Sequence, residues 1–162
     1  MKAGKISYTG VGVAAGGAIG FLGVAVGWFS YSVPFAGGTA TVSLSGTADW
    51  TGTAALIGAI GAFAFGGAFL LLNDAKLRRT LSVLMAASAA FLLVMSLFGS
   101  TRASDAVGVP AVLFSSALDK GLALSFAGGV LALVAALLAT RETGAPETES
   151  MSASEPAEAV EA

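Results

Sequence analysis

The chain has 162 residues, of which 56% are apolar and only 11% charged, too few polar side chains to solvate a compact water-soluble domain of that length. Its formal net charge is −2, and it holds neither Cys nor His. Those two absences exclude disulfide exchange and thiolate catalysis, the usual zinc and haem ligation, and hydrolysis through an imidazole base.

No Asp, Glu, Lys or Arg stands between Ile6 and Ala48. The first predicted element is a span from Val11 to Phe29, an uncharged run of the roughly 20 residues that cross a hydrocarbon core. Lys2 and Lys5 ahead of it and the small residues Ala25-Val26-Gly27 also suit a signal peptide. The length of the run, its many Gly and its few Leu favour a span. Gly12, Gly16 and Gly20 recur every fourth residue, and Gly23 and Gly27 repeat the spacing. Lipid gives helices no hydrophobic reason to associate, so this smooth stripe predicts close packing, either within the bundle or against a partner or second copy.

The next stretch, PFAGGTATVSLSGTADWTG, is predicted as a β-hairpin. Phe29, Tyr31 and Val33 alternate with Ser30 and Ser32, and Ala40, Val42 and Leu44 alternate with Thr39, Thr41, Ser43 and Ser45, the period of a half-buried strand. Pro34 to Gly38 supplies the turn. Trp28, Tyr31 and Trp50 flank the hairpin and are expected as anchors in the headgroup region, with an aromatic ligand site as the rival role. Asp49 is placed to cap the following helix.

Three further spans follow, Thr53 to Leu72, Leu81 to Phe98 and Leu122 to Thr140. The first of these carries Gly58, Gly61, Gly66 and Gly67, and the next the run Ala86 to Ala90. Between them NDAKLRRT, residues 73–80, is short enough to predict a tight reversal between antiparallel neighbours. A second outer loop covers residues 99–121, where Val112, Leu113 and Phe114 are expected to lie on the membrane surface or on the hairpin. The acidic segment 141–162 is too polar to fold alone and reads as a disordered tail.

Lys2, Lys5, Lys76, Arg78, Arg79 and Arg141 fall on one side of the four spans, and Arg102 and Lys120 on the other. The positive-inside rule therefore predicts a multi-pass protein of the cell membrane with both termini cytoplasmic and the hairpin outside. The spans hold no acid or base, only hydroxyls such as Thr53, Ser82, Ser88, Ser96 and Ser125, which argues against a proton relay. Asp49, Asp105 and Asp119 are isolated in the outer loops, and Gly-rich TGVGVAAGG lacks both the full dinucleotide-loop register and a preceding strand.

The plan of four spans, a first outer hairpin and a Trp at its edge resembles that of claudin-like membrane proteins. That family carries a W-GLW-C-C pattern, to which only Trp28 and Trp50 of this chain correspond; both cysteines are missing. The segment from VGWFSYSV through GTADWTGTAALIGAIGAFAF, with the basic KLRR turn and the Ala-rich third span, also resembles small actinobacterial membrane proteins associated with tryptophan-biosynthesis operons. That likeness covers residues 20–98 and transfers no functional residue.

The expected fold class is thus membrane all-α, a four-helix transmembrane bundle with a small extracytoplasmic hairpin. The expected function is a non-catalytic accessory or scaffold subunit, without cofactor, metal or nucleic acid, whose partners are the bilayer and a membrane protein or a second copy. An oligomeric channel or small-solute transporter is the alternative.

Overall fold

The structure, a computed structural model, describes residues 7–102 and 120–144. Its elements run α1 (Tyr8–Ala25), β1 (Gly27–Phe35), β2 (Gly38–Ser45), a single 3-10 turn (Gly46–Ala48), α2 (Trp50–Leu71), α3 (Ala75–Arg102) and α4 (Lys120–Gly144). All four α-helices are long and apolar enough to cross a membrane. They pack in a ring in which each helix touches its two neighbours and the diagonals barely meet.

The first span ends earlier than its hydropathy implies. α1 stops at Ala25, and Val26, at φ −80° and ψ 160°, leads straight into β1. Gly27, Trp28 and Phe29, read as the end of the span, belong to the strand. Apolar content alone does not separate a helix from a buried strand. β1 and β2 pair antiparallel from Gly27↔Ser45 to Phe35↔Gly38. The two-residue connection Ala36-Gly37 is shorter than the predicted turn, and Gly38 takes φ +147°, a conformation L side chains rarely adopt.

The reversal between α2 and α3 is tighter than the eight predicted residues. Only Leu72, Asn73 and Asp74 lie outside helices, so Lys76, Arg78 and Arg79 occupy the first two turns of α3 rather than a turn. Asp74 makes this possible: its Oδ1 accepts from the amides of Lys76 at 2.9 Å and Leu77 at 3.0 Å, closing the helix start. Asp49 acts similarly for α2, with Oδ2 accepting from the Thr51 amide at 3.3 Å and from the Thr51 hydroxyl. At its far end α3 continues through Gly99 to Arg102, and α4 runs past Thr140 to Gly144, so the ends of the predicted loop and tail are helical. The remainder of both, residues 103–119 and 145–162, lies outside the described residues, as do Lys2 and Lys5.

The core divides in two along the bundle. One cluster gathers around Phe69, Met85 and the alanines of α4, and the other, at the hairpin end, around Val24, Trp28, Ala55 and Leu92. At the opposite end hydroxyls tie helices together. Thr9 donates to Glu142 Oε2 at 3.2 Å, and the Ser82 and Thr143 hydroxyls meet at 3.3 Å.

Candidate functional site

The hairpin end is the most elaborated part of the molecule, and a one-residue irregularity creates it. Gly27 pairs with Ser45 and Phe29 with Leu44, so Trp28 is extra in the ladder. Such a bulge breaks the alternation of a strand and redirects a side chain. Here it lets two consecutive residues, Trp28 and Phe29, both turn into the bundle, with their rings edge to face at 6.1 Å and 86°.

Trp28 is 0% exposed. Its indole Nε1 donates to Ser125 Oγ of α4 at 3.1 Å, and that hydroxyl in turn donates to the Gly121 carbonyl at 3.0 Å, with the Gly20 carbonyl at 3.4 Å. The ring is seated against two glycines: a methyl group on Gly99 of α3 would lie 2.5 Å from it, and one on Gly46 2.8 Å away. One side chain thus joins β1, the 3-10 turn, α3 and α4. This differs from the expected headgroup anchor, because the bulge points the indole inward and Ser125 supplies the acceptor that a headgroup or water would have offered.

Trp50 does not share this buried setting. Trp50, the first residue of α2, is 55% exposed. Tyr31 pairs through its backbone with Val42, and its side chain is outside the described set. Fully buried, Trp28 offers no open face that it could share with Trp50 as a ligand site. On β2, Ala40, Thr41, Val42 and Ser43 are all exposed.

The α1 glycines are placed against neighbouring helices of the same chain. A methyl group on Gly16 would lie 2.6 Å from the Ala132 amide nitrogen, and one on Gly12 would lie 2.8 Å from Ala135 Cβ. Gly23 faces the Ser125 amide in the same way, and Gly20 faces Leu92 of α3. α4 answers with its own glycine, since a methyl group on Gly128 would lie 2.5 Å from the Gly20 nitrogen and 2.6 Å from the Gly16 carbonyl oxygen. Gly27 is half-buried at the start of β1. Sequence reasoning missed Gly121, Gly128 and Ser125 as the α4 counterparts; their four- and three-residue spacings were the available signal.

At the opposite end Lys76, Arg79 and Arg141 are exposed, while the Arg78 guanidinium lies 4.4 Å above the ring of Phe69. An open groove of about 380 Å³ runs between α1 and α2, lined by Ala18, Phe21, Leu22, Ala59, Ile60 and Phe63. All its walls are apolar, as a lipid-facing surface requires. Among the described residues no group of three or more His, Cys, Asp or Glu side chains converges. The arrangement is suited to holding a hairpin rigidly against a bundle. No protein-family model, curated protein or solved structure matches the chain.

Proposed function

We propose that the protein is an integral membrane accessory or scaffold subunit, non-catalytic, that presents its hairpin to a larger membrane complex or to a second copy. The observation that carries this reading is the contrast within the hairpin. Its root is locked by a fully buried Trp28, while its β2 stretch from Ala40 to Ser43 is exposed and bears only small, hydroxyl and aliphatic side chains. A rigid platform of backbone and hydroxyl groups suits recognition and offers no acid, base or nucleophile pair for a reaction.

The reading shifts one detail of the sequence-based expectation. The Gly12, Gly16, Gly20 and Gly23 side of α1 is occupied by α4 and α3 of the same chain, so the contact to a partner is assigned to the hairpin rather than to that stripe. In the proposed orientation the hairpin is extracytoplasmic and both termini are in the cytoplasm of a cell carrying the protein in its plasma membrane, in keeping with the side on which Lys76, Arg78, Arg79 and Arg141 gather. The channel alternative draws less support. The buried hydroxyls that would line a path donate to backbone carbonyls instead, Ser82 to Arg79, Ser96 to Leu92 and Ser125 to Gly121.

The test is purification of the tagged protein in a mild detergent, with mass spectrometry of whatever co-purifies and of the intact assembly. A stoichiometric membrane partner or a defined homo-oligomer is expected, and Val42→Lys on the exposed strand should abolish it while leaving the thermal midpoint of the protein unchanged. A monomer with no partner under native-membrane crosslinking defeats the reading. So does solute uptake driven by a pH gradient in reconstituted vesicles.

A further inference from the structure

The end of the bundle opposite the hairpin carries Lys76, Arg78 and Arg79 in the first two turns of α3 and Arg141 in the last turn of α4. Two carboxylates stand at this end among the described residues, and both are engaged by neutral donors. Asp74 Oδ1 receives the Lys76 and Leu77 amides, and Glu142 Oε2 receives the Thr9 hydroxyl. No ion pair joins any of the four cations to a carboxylate among the described residues. Among the described residues the four cations thus outnumber the two carboxylates at this end.

Arg78 is also held in place. Its guanidinium stacks on Phe69, itself 1% exposed, and its Nε is buried without an acceptor. Stacking fixes the plane of the fork, which prepares its terminal nitrogens for a planar or tetrahedral oxyanion better than a free side chain would be. The apolar run of α2 ends just beside these charges, and Leu71 is 83% exposed with Leu72 partly so. Cations above exposed leucines match an anion that carries hydrocarbon.

We infer that this end of the bundle binds the phosphodiester headgroup of an anionic phospholipid, with Lys76, Arg78 and Arg79 supplying the positive charge and Leu71 and Leu72 lying along its chains. Inorganic phosphate has the same anionic chemistry but no use for the exposed leucines. The inference is independent of the accessory role and of which leaflet the site faces.

The experiment is native mass spectrometry and thermal unfolding of the full chain in neutral detergent, with added phosphatidylglycerol, phosphatidylcholine of the same chains, or inorganic phosphate. Phosphatidylglycerol is expected to stay bound and raise the midpoint, phosphatidylcholine and phosphate to do neither. The double variant Arg78→Gln with Arg79→Gln should weaken phosphatidylglycerol retention by roughly tenfold or more, because each basic residue near an anionic surface contributes measurably. Arg78→Lys with Arg79→Lys, which keeps the charge and loses the fork, should fall between. Equal retention of the two lipids by the unaltered protein overturns the inference, as does unchanged retention in the Gln variant. A midpoint shift of the same size with phosphate alone reassigns the site to a soluble anion and overturns the lipid.

Discussion

Removing the Trp28 indole would take away a filled volume, a hydrogen bond and the wall against which Gly46 and Gly99 rest. Trp28→Ala is therefore expected to cost about 3–5 kcal/mol, the range for losing a large buried aromatic side chain, read as a lowered midpoint of unfolding in detergent. Ser125→Ala leaves the indole N–H buried without an acceptor and should cost about 1–3 kcal/mol. In a Trp28→Phe background the same Ser125 change should cost much less, because the donor is already gone. Equal Ser125→Ala penalties in both backgrounds would remove the hydrogen bond from the account. Burial has an optical consequence too: Trp50→Phe, whose sole indole is Trp28, should resist acrylamide quenching, whereas Trp28→Phe leaves the half-exposed Trp50 and should be quenched readily. The sequence marked Trp28 as special but assigned it to the headgroups, since a Trp at the edge of an apolar run is ordinarily read that way. What it did not disclose was the bulge, which depends on Ser45 and Leu44 of the other strand.

At the level of single helices, the distinction is between glycines that admit a neighbour and glycines that do not. Gly128 meets the α1 backbone and Gly67 meets nothing within 4 Å. Gly128→Ala should thus destabilise by about 1–3 kcal/mol through overpacking, while Gly67→Ala should be neutral or slightly stabilising, as expected for Ala over Gly in a helix interior. Similar midpoints for the two variants would mean that the α1–α4 approach is looser than the geometry implies. Asp74 offers a second check. Asp74→Ala should cost about 1 kcal/mol, the usual worth of a helix N-cap, and the loss should be recovered largely by Asp74→Ser or Asp74→Asn. The periodic Gly12, Gly16 and Gly20 made a close-packed face legible from sequence. Its occupant was not legible, because a small-residue stripe carries no address and α4 displays Gly128 and Gly121 in equally plain spacing.

For the whole molecule, the four helices form a ring closed at one end by the hairpin root and at the other by hydroxyl contacts between α1 and α4 and between α3 and α4. These contacts involve nothing beyond Gly144, and residues 145–162 are acidic and nearly without large aliphatic side chains. Truncation after Gly144 is accordingly expected to leave membrane insertion and the unfolding midpoint unchanged, measured by carbonate extraction and by thermal unfolding in detergent. A loss of insertion would show that the segment contributes to the bundle.

By itself the sequence determined that there are four long apolar helices, that a hairpin separates the first two and that the second and third reverse sharply. Each follows from local physics: the run length that satisfies backbone hydrogen bonds without water, the two-residue period of a strand, and the few residues between spans. The tertiary structure decided which helix occupies the α1 glycine stripe, where α1 gives way to β1, and that Trp28 points inward to Ser125. Those choices depend on distant partners meeting, Trp28 with a residue 97 positions away in the chain. In a chain whose spans are almost uniformly apolar, hydropathy gives every face the same value, so only complementary shape and the need to satisfy a buried N–H distinguish one neighbour from another.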